Sequence, residues 1–333
     1  MENVNGFSAA PPPLPTQQKK RSKAPIIIAV TVAAIVIIAL MVLVTYGIFN
    51  AVGTDFGGSG LDIVYVEGTI AEDSSSGLFA TDTGYGHNFI IDTIDALIEN
   101  ENSKGILVYI NSPGGAIYQT DEVYFKLLEY KETGRPVYAY MAQTAASGGY
   151  YIACAADKIY CNRNTLTGSI GVIYGAFLDL SAFLENYGVK THTFTSGDNK
   201  AMGSSYEPMT EEQKAIFQSI VDEAYEQFVD VVATGRKLDK STVYPIADGR
   251  IYTAKQALST GLVDEIASYE AALAAIKAEL GDADMPVNSH IRTVSSPFGS
   301  LLGLFGAQSE AEVILDVLSA YNKTGYYCAE LAQ

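Results

Sequence analysis

Apolar residues form one long uncharged run near the start of the chain and only short runs after it. The long run covers residues 26–49, from Ile26 to Phe49, and contains no charged residue. A helix needs about 20 apolar residues to cross a bilayer, whereas a cleaved signal peptide has an apolar core of only about 7–15. The pattern therefore predicts a transmembrane helix over residues 26–49.

The residues that flank this run predict its orientation. Residues 19–23 include four basic side chains, and basic flanks stay on the cytoplasmic side of a membrane. Residues 1–25 are polar and Pro-rich, which is typical of a disordered tail. We therefore expect a single-pass protein of the cell membrane with a cytoplasmic tail (1–25), a Gly-rich linker (50–60) and an extracytoplasmic domain.

Beyond the linker, apolar runs of strand length alternate with apolar positions at helical spacing. The expected strands are 61–70, 105–110, 136–141, 158–161 and 190–195. The expected helices are 89–100, one that follows Gly115 to about residue 131, 147–156, 180–187 and 211–234, the last opened by a Thr210–Gln213 capping box. This alternation predicts an α/β domain, a parallel sheet with flanking helices, over residues 61–285. The patterns are weak in 286–333, which we interpret as a C-terminal tail.

Charge and composition make some classes of partner and cofactor unexpected. The chain has a net charge of −17, and since residues 1–25 carry +3, the remainder carries −20. Nucleic acid is not an expected partner, because binding phosphates needs a basic face. The three cysteines and three histidines include no pair at metal-ligand spacing, so neither a zinc site nor another cofactor is expected.

Two glycine-rich turns are candidates for chemistry. Ser112-Pro113-Gly114-Gly115 follows an apolar strand and precedes a helix. Backbone N–H groups held at such a turn can bind a developing oxyanion, although an ordinary strand-to-helix turn has the same pattern. Ser147, in Ala-Ala-Ser-Gly-Gly-Tyr, lies at a second such turn, where the serine is either a nucleophile or a helix N-cap.

A serine nucleophile needs a base, and the histidines do not provide an obvious one. His192 alternates with threonines in the expected strand 190–195, so we interpret it as structural. Lys200 lies among small residues after that strand. A lysine acts as a base only when it is uncharged, which burial favours, although most lysines are solvated surface residues. Asp198 lies two residues away, and we expect its side chain to point away from Lys200.

Five motifs together resemble the signal peptide peptidase A family in its short, single-copy form. They are Asn-Ser-Pro-Gly-Gly (111–115), Ala-Ala-Ser-Gly-Gly-Tyr-Tyr (145–151), Leu-Thr-Gly-Ser-Ile-Gly-Val (166–172), the segment with Lys200 and Asp-Gly-Arg-Ile-Tyr (248–252). The resemblance covers about residues 61–270. Residues 198–199, Asp-Asn, depart from the family pattern before the lysine.

The resemblance implies a Clp protease/crotonase-like fold and a serine–lysine peptidase. It implies that Ser147 is the nucleophile, Lys200 the general base and Ser169 the residue that orients the lysine. It also implies an oxyanion hole made of the backbone N–H groups of Gly114, Gly115 and Gly148. A homo-oligomeric dome, in which the lysine of one subunit meets the serine of its neighbour, is a further implication of the resemblance.

We therefore expect a membrane-anchored serine endopeptidase that degrades residual signal peptides and other apolar peptides. Two alternatives remain open on the residues alone. A crotonase-like enzyme acting on acyl-CoA would use similar glycine-rich turns, but CoA is a cytoplasmic cofactor and the domain is expected outside. A catalytically silent membrane scaffold would have no need of both Ser147 and Lys200.

Overall fold

The computed structural model describes residues 58–73 and 84–292. All of these belong to one compact unit, Phe56–Gln333, and the other unit is Met1–Asp55. The expected tail (1–25), transmembrane helix (26–49) and most of the linker lie outside the described residues, as do residues 293–333. Within the ranges that the structure describes, no helix is both long enough and apolar enough to cross a membrane.

Strands and helices alternate along the described chain, as the sequence predicts. The strands are β1 (Gly60–Glu67), β2 (Ser103–Ser112), β3 (Val137–Ala146), β4 (Lys158–Cys161), β5 (Leu166–Gly168), β6 (Ile251–Thr253), β7 (Glu265–Ile266) and β8 (Val287–His290). The helices are α1 (His87–Glu99), α2 (Ile117–Glu132), α3 (Gly148–Ala153), α4 (Ser181–Asn186), α5 (Glu211–Arg236), α6 (Lys240–Val243), α7 (Ala254–Ser259) and α8 (Tyr269–Glu279). A short 3₁₀ turn, Tyr244–Ile246, follows α6.

The strands form one mostly parallel sheet. Its main path has the order β6-β5-β3-β2-β1-β8, while β4 pairs with β3 and β7 pairs with β4. Only the β5–β6 pair is antiparallel among the strand pairs of the described residues. This confirms the predicted α/β class with a parallel-dominated sheet. Each parallel connection between β1, β2 and β3 passes through a helix, as parallel pairing requires.

Both faces of the sheet are buried, which explains why its central strands read as continuous apolar runs. Along β1, Val64 and Val66 pack into a large core with α1, α2 and α3, while Leu61 and Ile63 pack into a smaller core with α8. The alternation follows from the two-residue repeat of a strand, which turns successive side chains to opposite faces.

The capping box predicted for α5 is present. The Thr210 hydroxyl accepts the N–H of Gln213, and the Gln213 side chain accepts the N–H of Thr210. Such an N-cap contributes about 1 kcal/mol to helix stability. The cap fixes the start of α5, whose middle turns form a wall of the cavity described below.

Two expectations for single strands do not match the structure. Residues 190–195 form no strand, and His192 is exposed in an irregular segment, so the interpretation of this histidine as a sheet residue is wrong. In contrast, Val287–His290 pairs with Leu61–Val64 in the sheet, although the sequence placed this segment in the C-terminal tail.

Residues 171–227, called here the exposed segment, differ from the rest of the domain. None of its residues is buried, although it carries many large apolar side chains. Phe194 is 95% exposed and Ile173 is 86% exposed. The segment nevertheless has internal contacts, because Phe217 stacks near Tyr174 and Phe177 at ring distances of 5.4 and 4.5 Å.

Candidate active site

The carboxyl ends of β1, β2 and β3 meet at one edge of the sheet, where parallel α/β folds commonly bind ligands. Three turns lie there: the turn after β1, the Pro-Gly-Gly turn after β2 and the Ser147 turn after β3. The two glycine-rich motifs of the sequence are therefore neighbours in space because their strands are neighbours in the sheet.

Ser147 occupies a sharp turn between β3 and α3. Its backbone has φ 53° and ψ −123°, a conformation that costs a non-glycine residue about 1–3 kcal/mol. The Ser147 carbonyl accepts the N–H groups of Tyr150 and Tyr151, both at 2.9 Å, but its side chain makes no capping hydrogen bond. The hydroxyl is therefore not used as a helix cap. A strained strand-to-helix turn of this kind presents a nucleophile in several hydrolase folds.

Ser169 is brought next to Ser147 by the pairing of β3 with β5. The Ser147 N–H donates to the carbonyl of Gly168 at 2.8 Å, and the Ser169 N–H donates to the carbonyl of Arg250 at 2.8 Å. Ser169 also has a positive φ, 52°. Both serines are half-buried and line the same cavity. The structure thus places Ser169 beside the candidate nucleophile.

The Pro-Gly-Gly turn packs directly against Ser147. Gly114 has φ 94°, and a Cβ atom at this position would lie 2.6 Å from the Gly148 nitrogen and 2.8 Å from Ser147 Cβ. Only glycine fits this gap. The absence of a side chain lets the turn approach the candidate nucleophile closely, as a backbone oxyanion site would need.

The three amides expected to form an oxyanion hole differ in their hydrogen bonding. The Gly114 N–H donates to Ser112 Oγ at 3.1 Å. The N–H groups of Gly115 and Gly148 have no hydrogen-bond partner in the part of the chain that the structure describes. Gly148 is the first residue of α3, where N–H groups are left free by helix geometry. Gly115 and Gly148 therefore have the amides available for an anion.

A cavity of about 770 Å³ opens in front of these groups. Its lining includes Ser147, Ser169, Gly115 and Gly148. Residues of α5 and residues 171–173 also line it. Apolar side chains contribute much of the lining: Ile117, Val172, Ile173, Val221, Ala224 and Phe228.

One wall of the cavity is fixed by a polar network that no sequence pattern revealed. The Tyr151 hydroxyl donates to Asp121 Oδ1 at 2.6 Å, and Gln227 Nε2 donates to both Asp121 Oδ1 (3.1 Å) and Tyr151 Oη (2.9 Å). The three residues come from α3, α2 and α5. Burial, followed by the hydrogen bond to Asp121, raises the pKa of the Tyr151 hydroxyl, so Tyr151 stays a neutral donor.

Lys200 lies outside this cavity in the single chain. It is exposed, its N–H donates to the carbonyl of Gly197 at 3.1 Å, and it is not among the residues that line the cavity. Within the described residues Asp198 forms no ion pair with Lys200. Instead, the Asp198 carbonyl accepts from Gln213, and Asn199 donates to Glu212. The structure therefore brings Ser147 and Ser169 together but not Lys200.

The Asp-Gly-Arg motif at 248–250 forms part of the cavity rim. Arg250 Nε donates to Asp248 Oδ1 at 2.7 Å. This hydrogen bond lowers the pKa of the Asp248 carboxyl to about 2. Gly249 donates its N–H to the carbonyl of Ile170 and so fixes the rim to the Ser169 turn.

Sequence comparisons with known proteins match the chain to two protease families. The sequence profile of peptidase family S49 matches residues 129–282, and that of the Clp protease family matches residues 84–173. A protein of Enterococcus faecium assigned as signal peptide peptidase SppA is 38% identical over 264 residues, which cover 78% of this chain and 76% of that protein.

Two more distant relatives are longer proteins. The chloroplastic serine protease SPPA of Arabidopsis thaliana is 34% identical over 64% of this chain and 31% of its own length. Protease 4 of Haemophilus influenzae is 30% identical over 63% of this chain and 33% of its own length. The chain belongs to peptidase family S49, together with signal peptide peptidase A, and is a serine-type endopeptidase.

Proposed function

We propose that this chain is a membrane-anchored serine endopeptidase that uses Ser147 and Lys200 as a catalytic dyad. The observation that carries the proposal is the position of Ser147. It lies at a strained turn, with its side chain not used as a cap, beside the N–H groups of Gly115 and Gly148, which have no hydrogen-bond partner among the described residues. This arrangement suits acyl transfer better than the binding of a CoA thioester or a scaffold role, and the family assignment favours the same reaction.

The proposed reaction has two halves. The Lys200 amine takes the proton from Ser147 Oγ, and the alkoxide attacks the carbonyl carbon of the scissile peptide bond. The N–H groups of Gly115 and Gly148 stabilise the oxyanion, and the lysine then protonates the leaving amine. Water repeats the sequence on the acyl-enzyme, which releases the second product and restores the serine.

The base is proposed to come from a neighbouring subunit. Lys200 is outside the Ser147 cavity in its own chain, and it belongs to the exposed segment, which has no buried residue of its own. An exposed apolar surface of this kind is typical of an interaction site. In a homo-oligomer, Lys200 of one subunit would enter the cavity of the next, where Ser169 would accept a hydrogen bond from the amine and orient it.

The proposed substrates are residual signal peptides and other apolar peptides. The apolar lining of the cavity fits such side chains, and the Enterococcus relative carries the name of a signal peptide peptidase. The uncharged run at 26–49 and its basic N-terminal flank support a single-pass anchor with a cytoplasmic N-terminus and an extracytoplasmic catalytic domain. Such a domain would meet its substrates where they leave the membrane.

An active-site label tests the dyad directly. A fluorophosphonate probe is expected to label the full-length protein at Ser147, to give no label with Ser147→Ala and to label Lys200→Ala weakly. Ser169→Ala retains the nucleophile and the base, so it is expected to be labelled at the same serine but more slowly than the wild type. Full hydrolysis of a fluorogenic peptide by Lys200→Ala would rule out the proposed base.

Mixed assemblies test whether the site is shared. Ser147→Ala and Lys200→Ala are each expected to be inactive, but co-expression of the two chains should restore activity, because one chain supplies the base and the other the nucleophile. Purification through two different affinity tags verifies that the chains assemble together. Verified mixed assemblies without activity would show that Ser147 and Lys200 must belong to the same chain.

A further inference from the structure

Ile70 lies directly behind the Pro-Gly-Gly turn, although the two are far apart in the sequence. It follows β1 and is 1% exposed. Its N–H donates to the carbonyl of Gly114 at 2.9 Å, and its carbonyl accepts the N–H of Ala116 at 2.8 Å. Ile70 thus holds the residues on both sides of Gly115, one of the two residues whose amides are proposed to bind the oxyanion.

The backbone contact at Gly115 leaves no free space. A Cβ atom at Gly115 would lie 1.9 Å from the Ile70 carbonyl oxygen, so the two backbones are in direct contact. The Gly115 amide can change direction only if the Ile70 bridge opens, because the peptide units before and after it are both hydrogen-bonded to Ile70.

The side chain of the same residue reaches the second donor. Ile70 Cδ1 lies 3.2 Å from the position that a Cβ atom would take at Gly148. Thr120 closes the other side of Gly148, with its Oγ1 atom 2.5 Å from that position. Ile70 therefore contacts the Gly115 residue through its backbone, and its side chain lies beside the Gly148 residue.

Hydrogen bonds of residues before and after Ile70 in the chain hold it in place. The N–H of Gly68 donates to the carbonyl of Asn111 at 3.0 Å. Three residues after Ile70, the Asp73 carboxylate accepts the N–H groups of His87 (2.8 Å) and Asn88 (3.0 Å) at the start of α1. The short stretch 68–73 is thus fixed between β2 and α1, which gives Ile70 a defined position against the turn.

We propose that Ile70 is a positioning residue, which sets the separation and direction of the Gly115 and Gly148 amides. The inference rests on the proposed function, since it assumes that these two amides bind the oxyanion of the reaction. A backbone donor is effective only when it is held where the charge develops, and displacement by about 1 Å can cost about 100-fold in rate.

Removal of a single methyl group tests the inference. Ile70→Val deletes Cδ1, the atom that lies beside Gly148, and keeps the branched Cβ. The matched control is Ile94→Val, which deletes the same atom from a residue of α1 that is 0% exposed and does not line the cavity. Both variants, made in the full-length protein, should lower the melting temperature to a similar extent.

The kinetic constants separate positioning from simple packing. For Ile70→Val, kcat on a fluorogenic peptide should fall about tenfold with KM nearly unchanged, because the lost contact acts on the transition state. Inhibition by a peptide boronate, whose adduct with serine places an oxygen in the oxyanion site, should weaken in parallel. Ile94→Val should retain the wild-type kcat and boronate affinity.

Equal kcat values for Ile70→Val and Ile94→Val would overturn the inference. A rise in KM with unchanged kcat for Ile70→Val would also overturn it, since that result would indicate substrate binding and not oxyanion stabilisation. Failure of the proposed function is distinguishable from both outcomes, because the wild-type protein itself would then show neither hydrolysis nor labelling of Ser147.

Discussion

We expect the conformation of a single residue, Ser147, to have opposite effects on stability and on activity. At φ 53° and ψ −123°, the serine occupies a region that glycine adopts with little strain. The strain is maintained by the hydrogen bonds of the turn, among them the one from the Ser147 N–H to Gly168. Relief of this strain should therefore stabilise the protein while it abolishes catalysis.

We expect Ser147→Gly to be inactive and to gain about 1 kcal/mol in the free energy of unfolding. Relief of the backbone strain contributes about 1–3 kcal/mol, and the greater entropy of glycine in the unfolded chain offsets part of this gain. Thermal unfolding measured beside Ser147→Ala, which is equally inactive but keeps the strain, isolates the effect. A glycine variant that melts no higher than the alanine variant would contradict the argument.

Gly114 gives a second prediction at the residue scale. Gly114→Ala should lower kcat by about 100-fold or more, because its Cβ would displace Ser147 or the Gly148 amide. Gly134→Ala is the matched control, since Gly134 has a similar φ, 81°, but nothing within 4 Å of the new atom. Both substitutions should cost about 1–2 kcal/mol in stability for the left-handed conformation.

The steady-state rates of the two alanine variants, compared at the same temperature, provide the measurement. Loss of activity in Gly134→Ala as well would mean that strain alone, and not the close contact with the nucleophile, explains the result.

Several site residues could be predicted from the sequence, and others could not, for a physical reason. Ser147, Ser169, Gly115 and Gly148 each lie in a local turn motif that is visible along the chain. Ile70 carries no such signal, because its role arises from the pairing of two separate turns. In the proposed assembly, the position of Lys200 relative to Ser147 would also depend on contacts between subunits, which no pattern along one chain reveals.

At the scale of elements, the long and strongly patterned segments were predictable, and the short edge strands were not. The expected helix 211–234 is present as Glu211–Arg236 with its capping box. The strand Val287–His290 is short and includes Asn and Ser, so its pairing with β1, far away in the sequence, determines its structure more than its composition does. The threonines that alternate with His192 and Phe194 in 190–195 predicted a strand, but no strand of the described chain lies beside this segment.

One ion pair connects the end of α5 to the sheet. Arg236 donates two hydrogen bonds to the Asp264 carboxylate, at 2.6 and 3.0 Å, and the same carboxylate accepts the N–H of Ile159 in β4. Burial raises the pKa of Asp264, but the hydrogen bonds from Arg236 and Ile159 outweigh burial, so the net pKa is lowered. The stabilisation is therefore present above the pKa of the unfolded chain and is lost as the pH falls through the lower pKa of the folded state.

Asp264→Asn should lower the free energy of unfolding by about 2 kcal/mol at pH 7, because a hydrogen bond to a charged group typically contributes this much to stability. The difference from the wild type should shrink below about pH 4, where the unfolded carboxyl is already protonated. Urea unfolding at pH 7 and pH 3 gives both values. Asp92→Asn, at an exposed position of α1, serves as the control, and a difference independent of pH would refute the role of the charge.

At the scale of the whole molecule, the exposed segment is the main departure from an ordinary globular domain. It lines the cavity through Gln218, Val221 and Tyr225, yet it carries Phe194, the most exposed aromatic residue in the described ranges 58–73 and 84–292. Exposure of large apolar side chains to water is unfavourable in free energy, and burial between subunits would remove this penalty. Assembly and activity should therefore be lost together.

Phe194→Glu should weaken the assembly and lower specific activity by at least about tenfold, because it places a charge in the proposed contact. Light scattering gives the mass of the assembly, and the rate per chain is measured at several protein concentrations. Tyr118→Glu, at another exposed aromatic position, is the comparison. A dissociated Phe194→Glu protein with the wild-type rate would show that activity does not depend on assembly.

The backbone angle of Ser147 also limits which nucleophiles this scaffold can use. A β-branched residue at positive φ is a genuine outlier, because its second Cβ substituent crowds the backbone. Threonine has the same hydroxyl as serine but would not fit this turn, whereas cysteine has the same unbranched shape. If this position changes its chemistry during evolution or by engineering, the route open to it leads to a thiol enzyme and not to a threonine peptidase.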